Sequence, residues 1–262
     1  MTDTAFLTSS DGEWFVGNDA ARGPWSANHC HAGPVAGVFA RAFESLITDK
    51  TLVRLSAVFI RPVPIAGFRV NASITRNGRT VATATADLKD AAGIVCATAD
   101  SLHMAVRDAG VLPSAAVASP DFNEAVHGVF PIAESHHQLP TFGDAVEIAY
   151  PPGETAAPGP TTLWMRTPPL LADEQPSPFQ RLCPLADCGN AISRNAELTE
   201  ASFVNPEITI ACFRAPQSDW LASRAISFWE PTGIGLASAA LFDEMGMIGT
   251  ALQTLIVEPV RR

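Results

Sequence analysis

The chain has 262 residues, 47% hydrophobic and 17% charged, enough apolar material for one large core or two small ones. Its formal net charge of −10 argues against a nucleic-acid binder or an anionic-membrane binder, both of which need a basic face. A phosphate-bearing small ligand remains open, because a few local arginines suffice; of seventeen basic residues only Lys50 and Lys89 are lysines.

Five cysteines, Cys30, Cys96, Cys183, Cys188 and Cys212, have spacings that match no zinc or redox motif and predict free thiols in a reducing compartment. The first fifteen residues lack the basic and apolar regions of a signal peptide, and no apolar run reaches 18 residues. The expectation is a cytoplasmic protein without a membrane span.

In chain order, EWFVG (13–17) reads as a short aromatic strand. In GPVAGVFARAFESLI (33–47), Val35, Val38, Phe39, Ala42, Phe43 and Leu46 recur at helical spacing. Strands are predicted over 51–61, 67–77, 79–89 and 94–105. RNGR (76–79) forms an Asn-Gly hairpin turn, and KDAAG supplies a glycine suited to positive φ. Residues 107–143, rich in Ala, Ser, Pro and His and including His136 and His137, read as a linker with a short helix near 121–127. AVEIAY (145–150) is the next strand, followed by a proline-rich loop (151–160). SPFQRLCPLADCGNAIS (177–193) is helical, with a kink or a fresh start at Pro184. Strands follow over 203–214, 219–229, 233–242 and 247–258, with FDEMG as a turn.

The two halves repeat. A shift of 153 residues lays VATATADLKDAAGIVCATADSL (81–102) over IGLASAALFDEMGMIGTALQTL (234–255) without a gap. The same shift puts AVFIRPVP (57–64) on IACFRAPQ (210–217), with Arg61 on Arg214 and Asp100 on Gln253. One helix followed by a long antiparallel sheet, made twice, is an α+β arrangement in which each helix buries its apolar stripe against its sheet. The expected division is 1–106, a linker at 107–143, and 144–262.

Gln253, in TALQTL, is an amide inside a late core strand. Buried without partners it would cost roughly 1–3 kcal/mol, so it faces water or serves a polar cavity.

The order of aromatic strand, Gly-led helix, FIRP, RNGR…ATA and a final strand ending in Gln resembles the double hotdog thioesterases of the acyl-CoA thioesterase II type. The resemblance implies a double hotdog fold, two tandem helix-plus-sheet repeats forming one continuous sheet, and an acyl-CoA substrate with no cofactor and no metal. A double hotdog is already a pseudo-dimer, so the resemblance is compatible with a monomer as well as with the homo-oligomers that relatives form through their sheets. Carried over residue by residue, the family's catalytic aspartate falls on Asp187 and its glutamine on Gln253. The hydroxyl position falls on Asn205, a departure from the family's Thr or Ser, with Thr209 as a fallback.

The chemistry of these residues fits such a role. Asp187 sits among Leu185, Ala186 and Cys188, an odd place for a carboxylate without a partner or a task. A carboxylate can orient and deprotonate a water, and the amides of Asn205 and Gln253 can fix it. Gly33 lets a substrate approach the start of the first helix, and His31 and Pro34 flank it as substrate contacts. Arg61, Arg76, Arg79 and Arg214 are candidates to meet the phosphates of CoA. HCHAGP (29–34) lacks the carboxylates of a metal site. No GxSxG occurs, and GIGLAS lies in a strand-like run rather than a phosphate loop.

The reading is hydrolysis of an acyl-CoA by water held between Asp187, Asn205 and Gln253; the alternative is an acyl-CoA or lipid binder without turnover. A hotdog hydratase is disfavoured because no histidine lies near Asp187 in the sequence.

Overall fold

The computed structural model describes residues 5–132 and 137–260; His136 lies outside them. The first half runs β1 (Leu7–Ser9), β2 (Trp14–Gly17), α1 (Ala32–Leu46), β3 (Thr51–Phe59), β4 (Phe68–Asn77), β5 (Val81–Asp90) and β6 (Val95–Met104). The linker carries β7 (Val126–Gly128) and α2 (Phe142–Ala145). The second half runs β8 (Glu147–Tyr150), β9 (Thr161–Arg166), α3 (Pro178–Ala186), α4 (Gly189–Ile192), β10 (Ala201–Val204), β11 (Glu207–Cys212), β12 (Leu221–Trp229), β13 (Ile234–Asp243) and β14 (Gly246–Pro259).

Among the described residues the strands form one sheet in the order β1-β2-β4-β5-β6-β3-β11-β14-β13-β12-β9-β8-β7, with β10 also pairing β14. The two halves meet where β3 pairs antiparallel with β11, and there Thr209 stands opposite Ser56. These two positions are 153 residues apart, so equivalent residues face each other at the join, as a pseudo-twofold axis requires. The fold is the expected α+β double hotdog. The alternating strands turn Leu55, Ala57, Ile208, Ile210, Ala84 and Ala239 inward against α1 and α3, whose apolar stripes are Val35, Val38, Phe39, Phe43 and Phe179, Leu182, Ala186.

Several details depart from the sequence reading. No helix forms near 121–127; Asp121 caps a turn there, and β7 pairs with β8 at the sheet edge. Phe122 from this linker packs on Trp164 and Trp220 at 5.0 and 5.2 Å, covering part of the sheet's outer face. The counterpart of β2 is β9, beside β12 as β2 is beside β4, whereas 145–150 occupies the place of β1. In the 76–79 hairpin the Gly78 N–H donates to Val81 O, yet neither Asn77 nor Gly78 has positive φ. Gly93 and Gly246 do, at 78° and 130°.

The helices break the common shift. α1 begins at Ala32 and α3 at Pro178, 146 residues apart. Pro184 stays inside α3, and the break falls three residues later, at Asp187 and Cys188. The final strands also slip. Ala84 pairs with Ser101 but Ala237 pairs with Gln253, so the structural counterpart of Gln253 is Ser101, at a shift of 152. A one-residue slip exchanges the faces of a strand, and Asp100 is therefore exposed while Ser101 and Gln253 are buried.

Arg214 is not free for a phosphate. Its guanidinium donates to both oxygens of Asp243, at 2.6 and 2.5 Å, and to Gly246 O. Burial alone would raise the Asp243 carboxyl, but the Arg214 guanidinium and the N–H groups of Gln217 and Met245 more than offset it and hold it below its usual range. Removing one partner of such a pair strands a buried charge, so Arg214→Ala is expected to cost about 3–5 kcal/mol in denaturant unfolding. The depressed Asp243 carboxyl contributes stability that is present at neutral pH and lost as pH falls below the unfolded-state value. Arg214→Ala should therefore also flatten the acid limb of the stability curve.

Candidate active site

Asp187 ends α3 as its C-cap, with φ −78° and ψ −5°, and Cys188 at φ −91° and ψ 0° starts a second short helical turn. The break turns the Asp187 side chain out of the helical register and toward the sheet. It is 3% exposed. Its Oδ1 accepts from Asn205 Nδ2 at 2.9 Å and from Gln253 Nε2 at 3.3 Å. Its Oδ2 lies 3.1 Å from Nδ1 of His31, the N-cap of α1. Burial raises the carboxyl to about 7, and the hydrogen bonds from Asn205, the Gly33 N–H and Gln253 limit the rise.

Gln253 faces the interior, 1% exposed, and its amide is fully used. Nε2 also donates to Asp187 O at 2.9 Å, and Oε1 accepts the Asn190 N–H at 2.9 Å. Gly189 makes this approach possible, since a Cβ there would stand 2.9 Å from Gln253 Oε1. Asn205 occupies the gap between β10 and β11, half-buried at the edge of the site. Its Oδ1 accepts from Asn190 Nδ2 at 3.1 Å. Thr209 cannot substitute for it: its side chain projects on the opposite face from Ile208 and Ile210 and donates to Ser56 Oγ at 3.0 Å.

The structure thus brings Asp187, Asn205, Gln253 and His31 together. The argument from sequence that no histidine lies near Asp187 is overturned, because the first half supplies one through its loop. Gly33 also touches Asp187, for a different reason than expected. A Cβ at Gly33 would lie 2.8 Å from Pro184 Cα and 3.3 Å from Asp187 Cβ, so what comes close is the backbone of α3. Pro34 is buried in the first turn of α1. His137 Nε2 lies 3.1 Å from Gly23 O, fastening the linker to the loop before His31 rather than facing solvent.

Asn190 was not anticipated. It stands three residues after Asp187, in α4, and like Asp187 is bonded to both Asn205 and Gln253. The signal was available: it is a second polar side chain in the apolar run LADCGNAI, at i+3 from the first.

Among the described residues no group of three or more His, Cys, Asp or Glu could hold a metal ion, and no helix is long and apolar enough to cross a membrane. All five cysteines are free thiols.

Comparison with known proteins agrees with this architecture. No curated protein matches the chain in sequence. Among solved structures, a candidate thioesterase from Novosphingobium aromaticivorans superposes with a TM-score of 0.77 at 19% identity, covering 96% of this chain and 98% of that one. A hot dog fold protein from Alicyclobacillus acidocaldarius gives 0.74 at 17% identity, covering 99% and 98%. An acyl-CoA thioesterase II from Mycobacterium marinum gives 0.65 at 15% identity, covering 98% and 96%. At these identities the likeness establishes the fold. The family models go further: the acyl-CoA thioesterase N-terminal domain matches residues 21–102 and the C-terminal domain matches 115–257. The chain therefore belongs to the acyl-CoA thioesterase family, and its chemistry is the hydrolysis of acyl-CoA thioesters.

Proposed function

We propose that the reaction is carried out at the single cluster formed by Asp187, Asn205 and Gln253. The supporting observation is a carboxyl that is 3% exposed, raised to about 7 by burial, and fixed by two side-chain amides. A base poised near the operating pH is the most effective one. Asp187, as the carboxylate, takes one proton from a water that Asn205 helps to hold through its carbonyl. The water oxygen forms a bond to the thioester carbonyl carbon, and the carbonyl electrons move onto oxygen. Their return breaks the C–S bond. The CoA thiolate leaves with the proton from Asp187, and the free acid remains. Gly33 and Pro34, buried in the first turn of α1 with Gly33 against the backbone of α3, shape the site rather than meet the thioester, and the acyl chain runs between the two halves. Gln253 acts on the carboxylate rather than on water, since both of its amide hydrogens are committed to Asp187.

Incubation with acyl-CoAs from short to long, including aromatic ones, tests this by free-thiol release. Release from at least one is expected, and the preferred chain length sizes the acyl pocket. No release from any would sink the reading. Asn205→Ala should lower kcat by roughly 10- to 100-fold, the worth of one hydrogen bond to a charged group, because Asp187 loses its shortest side-chain donor.

A further inference from the structure

We propose that Arg61 binds a phosphate group of the CoA moiety and so anchors the substrate at the rim of the site. The inference rests on the thioester being cleaved at the Asp187 cluster, as proposed above.

The repeat makes Arg61 the counterpart of Arg214, and the backbones beside the two agree. The Ile60 N–H donates to Cys96 O at 2.8 Å, and the Phe213 N–H donates to Ile248 O at 3.1 Å. The side chains part company. Arg214 is fastened to Asp243. The counterpart of Asp243 is Asp90, whose Oδ1 is spent on its own turn, accepting the N–H groups of Ala92 and Ile94 at 2.9 Å each. The turn itself differs: Leu88 and Ala97 pair nine residues apart, Leu241 and Gly249 eight. Among the described residues the Arg61 side chain is exposed and has no ion pair, hydrogen bond or ring contact. One half thus uses its arginine to hold a turn, and the other half leaves the same cation free.

That free cation stands beside the site. Pro206, next to Asn205, accepts the Phe59 N–H at 2.8 Å. Arg61 follows two residues on, at most about 7 Å of chain. Residues 60–65 then run to the loop before α1, where the Cys30 N–H donates to Val63 O and the Ile65 N–H to Asn28 O, both at 2.9 Å. The segment therefore stretches from Asn205 to the residue before His31 and borders the cluster. Ile60 and Val204, chain neighbours of Arg61 and Asn205, are exposed, so solvent reaches this rim. The other candidate arginines are placed differently. Arg76 and Arg79 flank the hairpin that Lys50 Nζ holds through Asn77 Oδ1 at 3.0 Å. Lys50 follows the far end of α1, whose 15 residues span about 22 Å from the site. Arg22, close to the site, is committed to Asp19 and to the carbonyls of Ala27 and Pro140. A chain of net charge −10 repels a polyanion, so a phosphate needs such a local unpaired guanidinium.

Paired substrates test this. An acyl-CoA and the matching S-acyl-pantetheine carry the same thioester, and only the first has phosphates. Arg61→Ala is expected to lower the ratio of kcat/KM for acyl-CoA to that for S-acyl-pantetheine by about 10- to 100-fold, the worth of a charge-assisted hydrogen bond, chiefly through KM. Each ratio is taken within one protein, so a partial folding defect cancels. Arg61→Lys keeps the charge and should recover part of the loss. With acyl 3′-dephospho-CoA, a loss that persists assigns Arg61 to the diphosphate, and a loss that vanishes assigns it to the 3′-phosphate. Arg224→Ala removes another exposed cation, held over the Phe242 ring at 5.0 Å, and should leave the ratio as it is. An unchanged ratio in Arg61→Ala, or an equal fall in Arg224→Ala, would overturn the proposal. Calorimetric titration with CoA needs no turnover. CoA bound equally well by the unsubstituted protein and Arg61→Ala would also overturn it. Weaker binding by Arg61→Ala, with no thioester cleaved by either protein, would instead overturn the hydrolytic role of the Asp187 cluster and leave the Arg61 contact standing.

Discussion

Asp187→Asn is expected to reduce kcat for acyl-CoA hydrolysis by about 10²- to 10⁴-fold, the usual contribution of a positioned general base. The substitution is unusually clean here. The new amide oxygen can still accept from Asn205 Nδ2 and Gln253 Nε2, and the side chain keeps its size. Loss of activity with the fold intact therefore isolates the proton-accepting role. The same change carries a signature in stability. A carboxyl whose pKa is raised from 3.8 to about 7 on folding makes the folded state bind a proton that the unfolded chain has already released. Folding stability then falls as pH rises between those values and is lowest above the upper one. Asp187→Asn removes this cost, so its Tm should exceed that of the unsubstituted protein at pH 8, with the advantage vanishing toward pH 4. Such a trade between activity and stability is expected of a buried catalytic group. Thermal unfolding of both proteins at the two pH values, beside thiol-release kinetics, checks both halves. An Asn variant that hydrolyses at the original rate would remove Asp187 from the mechanism.

Gly33→Ala is the second large effect. In an unobstructed helix interior the change would add up to about 1 kcal/mol of stability. Here the new Cβ would lie 2.8 Å from Pro184 Cα, 3.0 Å from Pro184 O and 3.3 Å from Asp187 Cβ. The first two are backbone atoms of a proline-containing helix, which cannot swing aside like the end of a side chain. α1 and α3 must separate, at a cost of about 1–3 kcal/mol, which for a chain of this size lowers Tm by about 2–12 °C. Separation also carries His31 away from Asp187, and a misplacement of about 1 Å in such a site costs on the order of 10²-fold in rate. Gly37→Ala is the control. Its Cβ would meet the Leu170 side chain at 3.2 Å, which can give way, so stability and rate should change far less. Equal losses in both variants would contradict the account of Gly33.

Much of this was written in the sequence, for identifiable reasons. The 153-residue shift was visible because the inward positions of β5 and β13 carry small residues in the same alternation. It fails by one residue in β14 because the two hairpins differ in length: Leu88 pairs with Ala97, whereas Leu241 pairs with Gly249. An ungapped comparison cannot register that, and it placed Asp100 where Ser101 stands. The strand β9 was missed because TTLWMR has all but its last residue buried, on both faces, and so lacks the alternation that marks a half-exposed strand. Asp187, Asn205 and Gln253 could be grouped from an oddly placed carboxylate, an amide in a core strand and a resemblance. The approach of His31 could not, since it depends on how the two halves dock across 156 residues of chain, for which local patterning carries no signal.

The most direct test of the central claim is the pH dependence of kcat/KM for the preferred acyl-CoA. The account predicts a rate that rises with unit slope from acid pH and levels off above an apparent pKa of about 7, set by the burial of Asp187. A profile flat from about pH 5 to 9 in protein that remains folded would mean that no such carboxylate accepts the proton, and would contradict it.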